Sequence, residues 1–253
     1  MVTWLYQVCR IWNGLKQMVH ANTLARLVNV LAIDTSSAAC ILGLQLGEDI
    51  FTDIRVSERS HSRDILPAIS KLLEENSLPF DQLDYIIFGE GPGSFTGLRI
   101  AVGVVQGLAY GLGIPVVPVS SLACLAQASY QQCGNKCNVV ALHARKEEVY
   151  LGVYEIEDHI AKPKMSERVL DVNDKAFDLI GDWIGVGDGW ILREKLEKSL
   201  NIEMRGIEHN IHLQPKALLS LGIASFKSGR FTDALSARPK YLREHIVSQD
   251  VRK

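Results

Sequence analysis

The chain has little cysteine, and what it has is poorly spaced for structural use. Its 253 residues hold five cysteines, at positions 9, 40, 124, 133 and 137, which do not make the disulfide framework of a small secreted domain. Cys133 and Cys137 have no second C-x-x-C downstream, which argues against a zinc site. A surplus of charge is also missing. Lys and Arg total 27 and Asp and Glu 29, for a net charge of −2. Phosphate contacts need concentrated Lys and Arg, so the chain is a poor autonomous nucleic-acid binder and any such role should use a local patch or a basic partner.

Several signatures fail to appear. Gly97 is followed by Leu98-Arg99, not by the Lys-Ser/Thr of a P-loop, and no G-x-G-x-x-G stands in register. His209 and His212 are three apart with no Glu after the first, so the H-E-x-x-H of a zinc protease is absent. Ser94 lacks the G-x-S-x-G of a hydrolase elbow. No apolar run forms a secretory core, because Gln7, Arg10 and Asn13 interrupt the first stretch. The expected setting is the reducing cytoplasm, with no membrane partner.

The most informative stretch present is 84–112. Tyr85-Ile86-Ile87-Phe88 reads as a buried strand, Gly89, Gly91, Pro92 and Gly93 as a turn, and 98–112 as a helix capped by Ser94 or Thr96 and charged only at Arg99. Gly103, Gly107 and Gly111 fall on one side of that helix. Each costs about 1 kcal/mol relative to alanine, so close approach of another backbone must offset the stripe. That backbone belongs to the chain's own sheet, the favoured reading, or to another subunit. The helix as delimited is too short for a bilayer, which needs ~20 apolar residues. The glycine loop before it resembles a phosphate cradle at a helix N-terminus.

In order, 1–27 carry no acidic residue, the first being Asp34. They read as an extension or as a start codon chosen too far upstream. Strands are expected at 28–34, 40–46 and 49–56, a helix at 61–76, the strand and glycine helix above, a strand at 114–119, and a helix from Ser120 or Ser121 to about 132. The order then repeats, with strands at 138–142, 148–155 and 164–171, a helix at 173–180, a strand at 182–186, and helices at 191–200 and 215–228. Both halves read β-β-β-α-β-α, roughly 110 residues apart. The expected fold is α/β with two lobes, 28–134 and 135–253. The second lobe is smaller, closed by the 215–228 helix and ended by a basic tail. Residues 227–253 hold seven Lys/Arg against three acids, a solvated tail by default and a tRNA contact in the minority reading.

Candidate site residues follow from the ends of these strands. Asp34, Thr35 and Ser36 end the first strand, where an Asp either faces a cleft and holds a metal or water, or caps its own turn. His143 and Arg145 end the matching strand of the second half. Arg145 reaches an anion or pairs with Glu147 or Glu148, and the ion pair is preferred. No catalytic acid/base pair and no metal-ligand set emerge.

Three blocks, LAIDTSSAACILGL, HSRDILPAISKLLEE and FGEGPGSFTGLRIAVGVVQGLAYGLGIPVVPVSSLACLAQ, closely resemble the bacterial TsaB (YeaZ) family, with an echo at Pro239-Lys240-Tyr241-Leu242-Arg243. The resemblance covers most of 28–155. It implies an actin-like, Hsp70-like (ribonuclease H-like) two-lobed fold and a part in making threonylcarbamoyladenosine beside the tRNA anticodon. It further implies that the catalytic work belongs to a paralogous partner, TsaD, joined by the ATPase TsaE. The paralogue's N-H-L-E-G-H segment carries two metal-binding histidines. Here Ser121 and Leu125 stand in their places, a weak ligand and a non-ligand. Where such chains often read D-A-R-M-x-E-V-Y, this one has His143-Ala144-Arg145-Lys146-Glu147-Glu148-Val149-Tyr150.

The expectation is therefore a noncatalytic scaffold subunit. Ile65, Leu66, Ile69 and Leu73 of the first helix, with Arg99, Gly103, Gly107 and Gly111 of the glycine helix, form its interface with TsaD or with a second copy of itself. No cofactor of its own is expected; ATP or ADP belongs to the complex, and tRNA is met through it. The competing expectation is an actin-fold ATPase or small-molecule kinase acting alone, with Asp34, Thr35 and Ser36 and the glycine turns near Gly93 and Gly187 as its nucleotide site.

Overall fold

The computed structural model describes residues 28–56 and 61–243; the expected 1–27 extension and the last ten residues of the tail lie outside that range. β1 (Asn29–Asp34), β2 (Ala39–Leu46) and β3 (Asp49–Val56) form an antiparallel meander, and β4 (Tyr85–Gly91) and β5 (Val116–Ser120) add in parallel beside β1. The sheet order is β3-β2-β1-β4-β5, in keeping with the actin-like lobe implied above. Side chains alternate across it. Leu31, Ile33, Leu42, Ile86 and Phe88 pack under α1 (His61–Glu75) and α2 (Phe95–Leu112). Val30, Ala32, Ile41 and Ile87 face α3 (Ser121–Cys133) and α5 (Pro215–Lys227).

The second sheet has the order β11-β10-β6-β7-β8, with β9 also on β7. It comprises β6 (Cys137–Arg145), β7 (Glu148–Glu157), β8 (Ile160–Pro163), β9 (Arg168–Asp171), β10 (Ile184–Val186) and β11 (Gly206–Glu208). Val139, Ala141, Leu151 and Val153 pack with Trp190, Leu196 and Leu200, the last two from α4 (Arg193–Leu200). On the opposite face Val140, Tyr154 and Val186 join the same apolar core as α3 and the first sheet. α3 thus lies between the sheets.

Caps explain the helix limits. Ser94 accepts from the Gly97 N–H, so α2 starts three residues earlier than the apolar pattern indicates, and it ends at Gly113 with φ of 68°. At its full 18 residues α2 is long and apolar enough to cross a membrane by length and composition, unlike the shorter helix expected above. However, Leu98, Ala101, Val102, Val105 and Ala109 bury one side of it in this chain, as in an ordinary core helix. Ser120 accepts from Leu122 and Ala123 N–H and starts α3.

Several expectations for the second half fail; the strand expected at 164–171 forms only over Arg168–Asp171, after a separate β8 at Ile160–Pro163. No helix forms at 173–180. Asp171 Oδ1 accepts from the Asn173 backbone and amide, and the Ala176 and Leu179 N–H groups donate to Ser199 and Leu200 carbonyls at the end of α4. The backbone donors a helix would need are spent on its neighbour. The 215–228 helix forms, but α5 packs on β1, β2, β4 and β5 of the first sheet. Leu218 and Leu219 are buried there, and Phe226 stacks on Tyr85 with ring centroids 3.9 Å apart.

Candidate functional site

The β1–β2 turn and the β4–α2 glycine loop are locked into each other. Thr35 Oγ1 donates to the Gly97 carbonyl at 2.7 Å, and Ser94 N–H donates to the Ser36 carbonyl at 2.7 Å. A Cβ on Gly89 would lie 1.8 Å from Asp34 Oδ2, one on Gly93 2.4 Å from the Ser36 carbonyl oxygen, and one on Gly97 1.8 Å from that of Thr35. These glycines are needed because this chain's own 34–36 segment presses against them, the Asp34 side chain at Gly89 and the backbone at Gly93 and Gly97. The groove that resembles a phosphate cradle is filled from within. The second glycine turn behaves alike, since Cβ atoms on Gly187 and Gly189 would meet Ala141 backbone at 2.5 and 2.8 Å.

The three candidate cofactor residues are brought together but buried. Asp34, Thr35 and Ser36 are each at most 5% exposed. Asp34 Oδ1 accepts from the Ser36 N–H at 2.6 Å, the turn-capping geometry, while Oδ2 has no hydrogen-bond partner among the described residues. Ser36 Oγ sits 3.1 Å from Ser121 Oγ, and Leu125 lies in the core. Among the described residues no three His, Cys, Asp or Glu side chains converge as a metal site.

Burial pushes the Asp34 carboxyl above its ordinary 3.8, against the opposing Ser36 hydrogen bonds. The folded chain then keeps a proton that the unfolded chain releases. Its stabilising contribution is complete below about pH 3.8 and is lost as pH rises through the folded value. Asp34→Asn should therefore melt higher than the parent near neutral pH, by roughly 2–5 °C, with a margin that shrinks toward about pH 4. Thermal melts across that range check this. A margin independent of pH would show that Asp34 titrates as an exposed carboxyl does.

The eight candidate interface residues divide. Ile65, Ile69 and Leu73 are at most 1% exposed and pack under α1 against the chain's own sheet, so they serve the internal core and are corrected here. Leu66, on the other side of α1, is 48% exposed. Outside the helix's own backbone, no atom of the described residues lies within 4 Å of a Cβ added at Gly103, Gly107 or Gly111. The favoured expectation, that the stripe packs on the chain's own sheet, is thus overturned, because α2 turns its Ala and Val row inward and its glycines outward. Tyr110 beside the stripe is 70% exposed.

Arg99 sits elsewhere, at the mouth of a cavity of about 410 Å³ between the lobes. The sequence suggested a cleft between the halves with Arg145 facing it, but not this lining. It is assembled from the start of α2, the β6–β7 hairpin with Arg145, and the segment Lys240-Tyr241-Leu242-Arg243. Arg145 Nε lies 3.4 Å from Glu148 Oε2, the preferred pairing, and Arg243 bonds the same oxygen. His143 turns aside, its N–H on Asp188 and its ring on the Lys146 carbonyl. Behind the cavity Glu167 accepts from Ser120, Tyr154 and, at 3.0 Å, Lys240 Nζ. Lys240 N–H donates to the Glu90 carbonyl. Burial raises the Glu90 carboxyl, with Lys240 opposing and Glu167 reinforcing. The signals in the sequence were Arg145 at a strand end and the cluster of cations after 227, and neither says that they face each other.

Comparison with known proteins agrees with this frame. A family model described as TsaD, tRNA N6-adenosine threonylcarbamoyltransferase, matches residues 51–229. The tRNA threonylcarbamoyladenosine biosynthesis protein TsaB of Escherichia coli (strain K12) is 32% identical over 226 residues, covering 87% of this chain and 96% of the relative. Its namesake in Haemophilus influenzae is 31% identical over 238 residues, covering 87% and 95%. Among solved structures, YeaZ from Pseudomonas aeruginosa is 36% identical with a TM-score of 0.80, covering 85% of this chain and 100% of that one. With most of its length matched in sequence and in fold, this chain belongs to the TsaB (YeaZ) family.

Proposed function

We propose that this chain is a noncatalytic subunit of the cytoplasmic machinery that makes threonylcarbamoyladenosine in tRNA. It pairs with the transferase TsaD, with the ATPase TsaE joining the pair, and it meets tRNA as part of that assembly. The observation that carries the reading is the filled cradle: the loop that would hold a nucleotide phosphate in an actin-like enzyme is occupied by Asp34-Thr35-Ser36 of the same chain. The fold also offers surface for a partner. The exposed glycine stripe with Leu66 and Tyr110 is the part of it that suits a paralogue's matching helices, since side-chain size at the contact sets how closely two helices approach.

Depleting the protein from its host and analysing the nucleosides of bulk tRNA tests this. Threonylcarbamoyladenosine should fall severalfold and return when the chain is restored. Unchanged levels would remove the pathway assignment. Titrating the purified chain alone with Mg-ATP tests the other half. Tight binding with turnover would make it an enzyme in its own right, the kinase or ATPase reading.

A further inference from the structure

We infer that the cavity between the lobes takes one phosphodiester-linked nucleotide of an RNA strand; the proposed function supplies the RNA, but not the site. Four cations line the cavity, Arg99, Arg145, Lys240 and Arg243. Among the described residues three carboxylates answer them: Glu148 holds Arg145 and Arg243, Glu167 holds Lys240, and Glu90 also interacts with Lys240. Arg99 has no carboxylate partner among the described residues. Its guanidinium lies 3.8 Å from the centroid of the Phe95 ring, and its Nε donates to Tyr241 Oη at 3.3 Å. The site is therefore locally positive in a chain whose net charge is −2, and arginine forks match a phosphate in shape as well as in sign.

The apolar half of the cavity fits a base. Phe95 and Tyr241 are 55% and 47% exposed, with ring centroids 5.7 Å apart. Such rings, with a guanidinium plane beside them, are the usual platform for an unstacked base of single-stranded RNA. A volume of about 410 Å³ lies within the ~300–1,000 Å³ of small-ligand sites and holds one nucleotide. A free polyphosphate suits it less well. Polyphosphates bring Mg²⁺, which wants carboxylate or water oxygens, and Glu148 and Glu167 are already held by cations. A singly charged phosphodiester needs no metal.

The test uses the full chain assembled with its transferase partner and fluorescently labelled, unmodified tRNA, titrated by anisotropy at several KCl concentrations. Arg99→Ala combined with Arg243→Ala should weaken binding at least about tenfold and lower the salt slope by about two. Tyr241→Ala should weaken it about fivefold or more with little change in slope. Wild-type tRNA affinity in variants that keep the parent's melting temperature and assembly would overturn the inference, while leaving the pathway role to be judged by nucleoside analysis. Displacement of the tRNA by micromolar AMP or ATP would also overturn it, making the site one for free nucleotide; so would displacement by an acidic peptide. If the variants fail to fold, photocrosslinking decides with the unmutated assembly. 4-Thiouridine-substituted tRNA should attach to peptides holding Phe95, Tyr150 or Tyr241, and attachment only elsewhere overturns the assignment.

Discussion

Gly97→Ala is expected to melt roughly 10 °C or more below the parent. The added methyl would stand 1.8 Å from the Thr35 carbonyl oxygen, well inside contact distance, and that oxygen is backbone and cannot swing away. Thr35 is fixed twice, by its own hydroxyl on the Gly97 carbonyl and by its place at the end of β1. Relief requires separating the two loops, which also breaks the Ser94–Ser36 bond and strains the Asp34 turn. A loss of ~4 kcal/mol or more is expected, the range reserved for breaches of tight packing. In a domain of this size that lowers the melting temperature by roughly 10 °C or more. The internal control is Gly107→Ala, where nothing lies within 4 Å. That change should stabilise the free chain by about 1 kcal/mol through helix propensity alone. If Gly97→Ala melts with the parent, the loops are not interlocked as described and the filled-cradle argument falls with them.

Gly107→Leu should do the opposite, sparing the fold and damaging assembly. Leucine is a better helix former than glycine, and at this position it points into open space, so the melting temperature of the free chain should hold or rise. Against a partner helix the same side chain acts as a wedge, because the approach that glycine permits is no longer available. Affinity for TsaD should fall at least tenfold, about 1.4 kcal/mol, as read by titration calorimetry. Unchanged affinity would place the partner on another surface. A parallel loss of stability would mean that α2 packs against its own chain there after all.

What the sequence made legible was local. The first lobe follows from its strand alternation, its glycine punctuation and the serine caps at 94 and 120, and its limits differ by one to three residues because caps, not apolar periodicity, set helix ends. The apolar face of α1 was visible too, but periodicity does not say whose core it enters. Ile65, Ile69 and Leu73 went inward and Leu66 outward. The second half was less legible because long-range bonds override local preference: the α4 carbonyls at 199 and 200 capture the 173–180 segment. A cleft between the halves was suggested, but its lining was invisible for the same reason, since its cations come from positions 99, 145, 240 and 243 and only the fold brings them together.

The position of α5 also bears on how the molecule is made. One face of the first sheet is covered by a helix encoded after nearly the whole second half. During synthesis Val30, Ala32 and Ile87 therefore emerge long before Leu218 and Leu219 exist to shelter them. The amino-terminal half cannot finish as an independent unit on the ribosome, as sequential domains commonly do, and must wait, sticky on one side, for the carboxy-terminal residues to arrive.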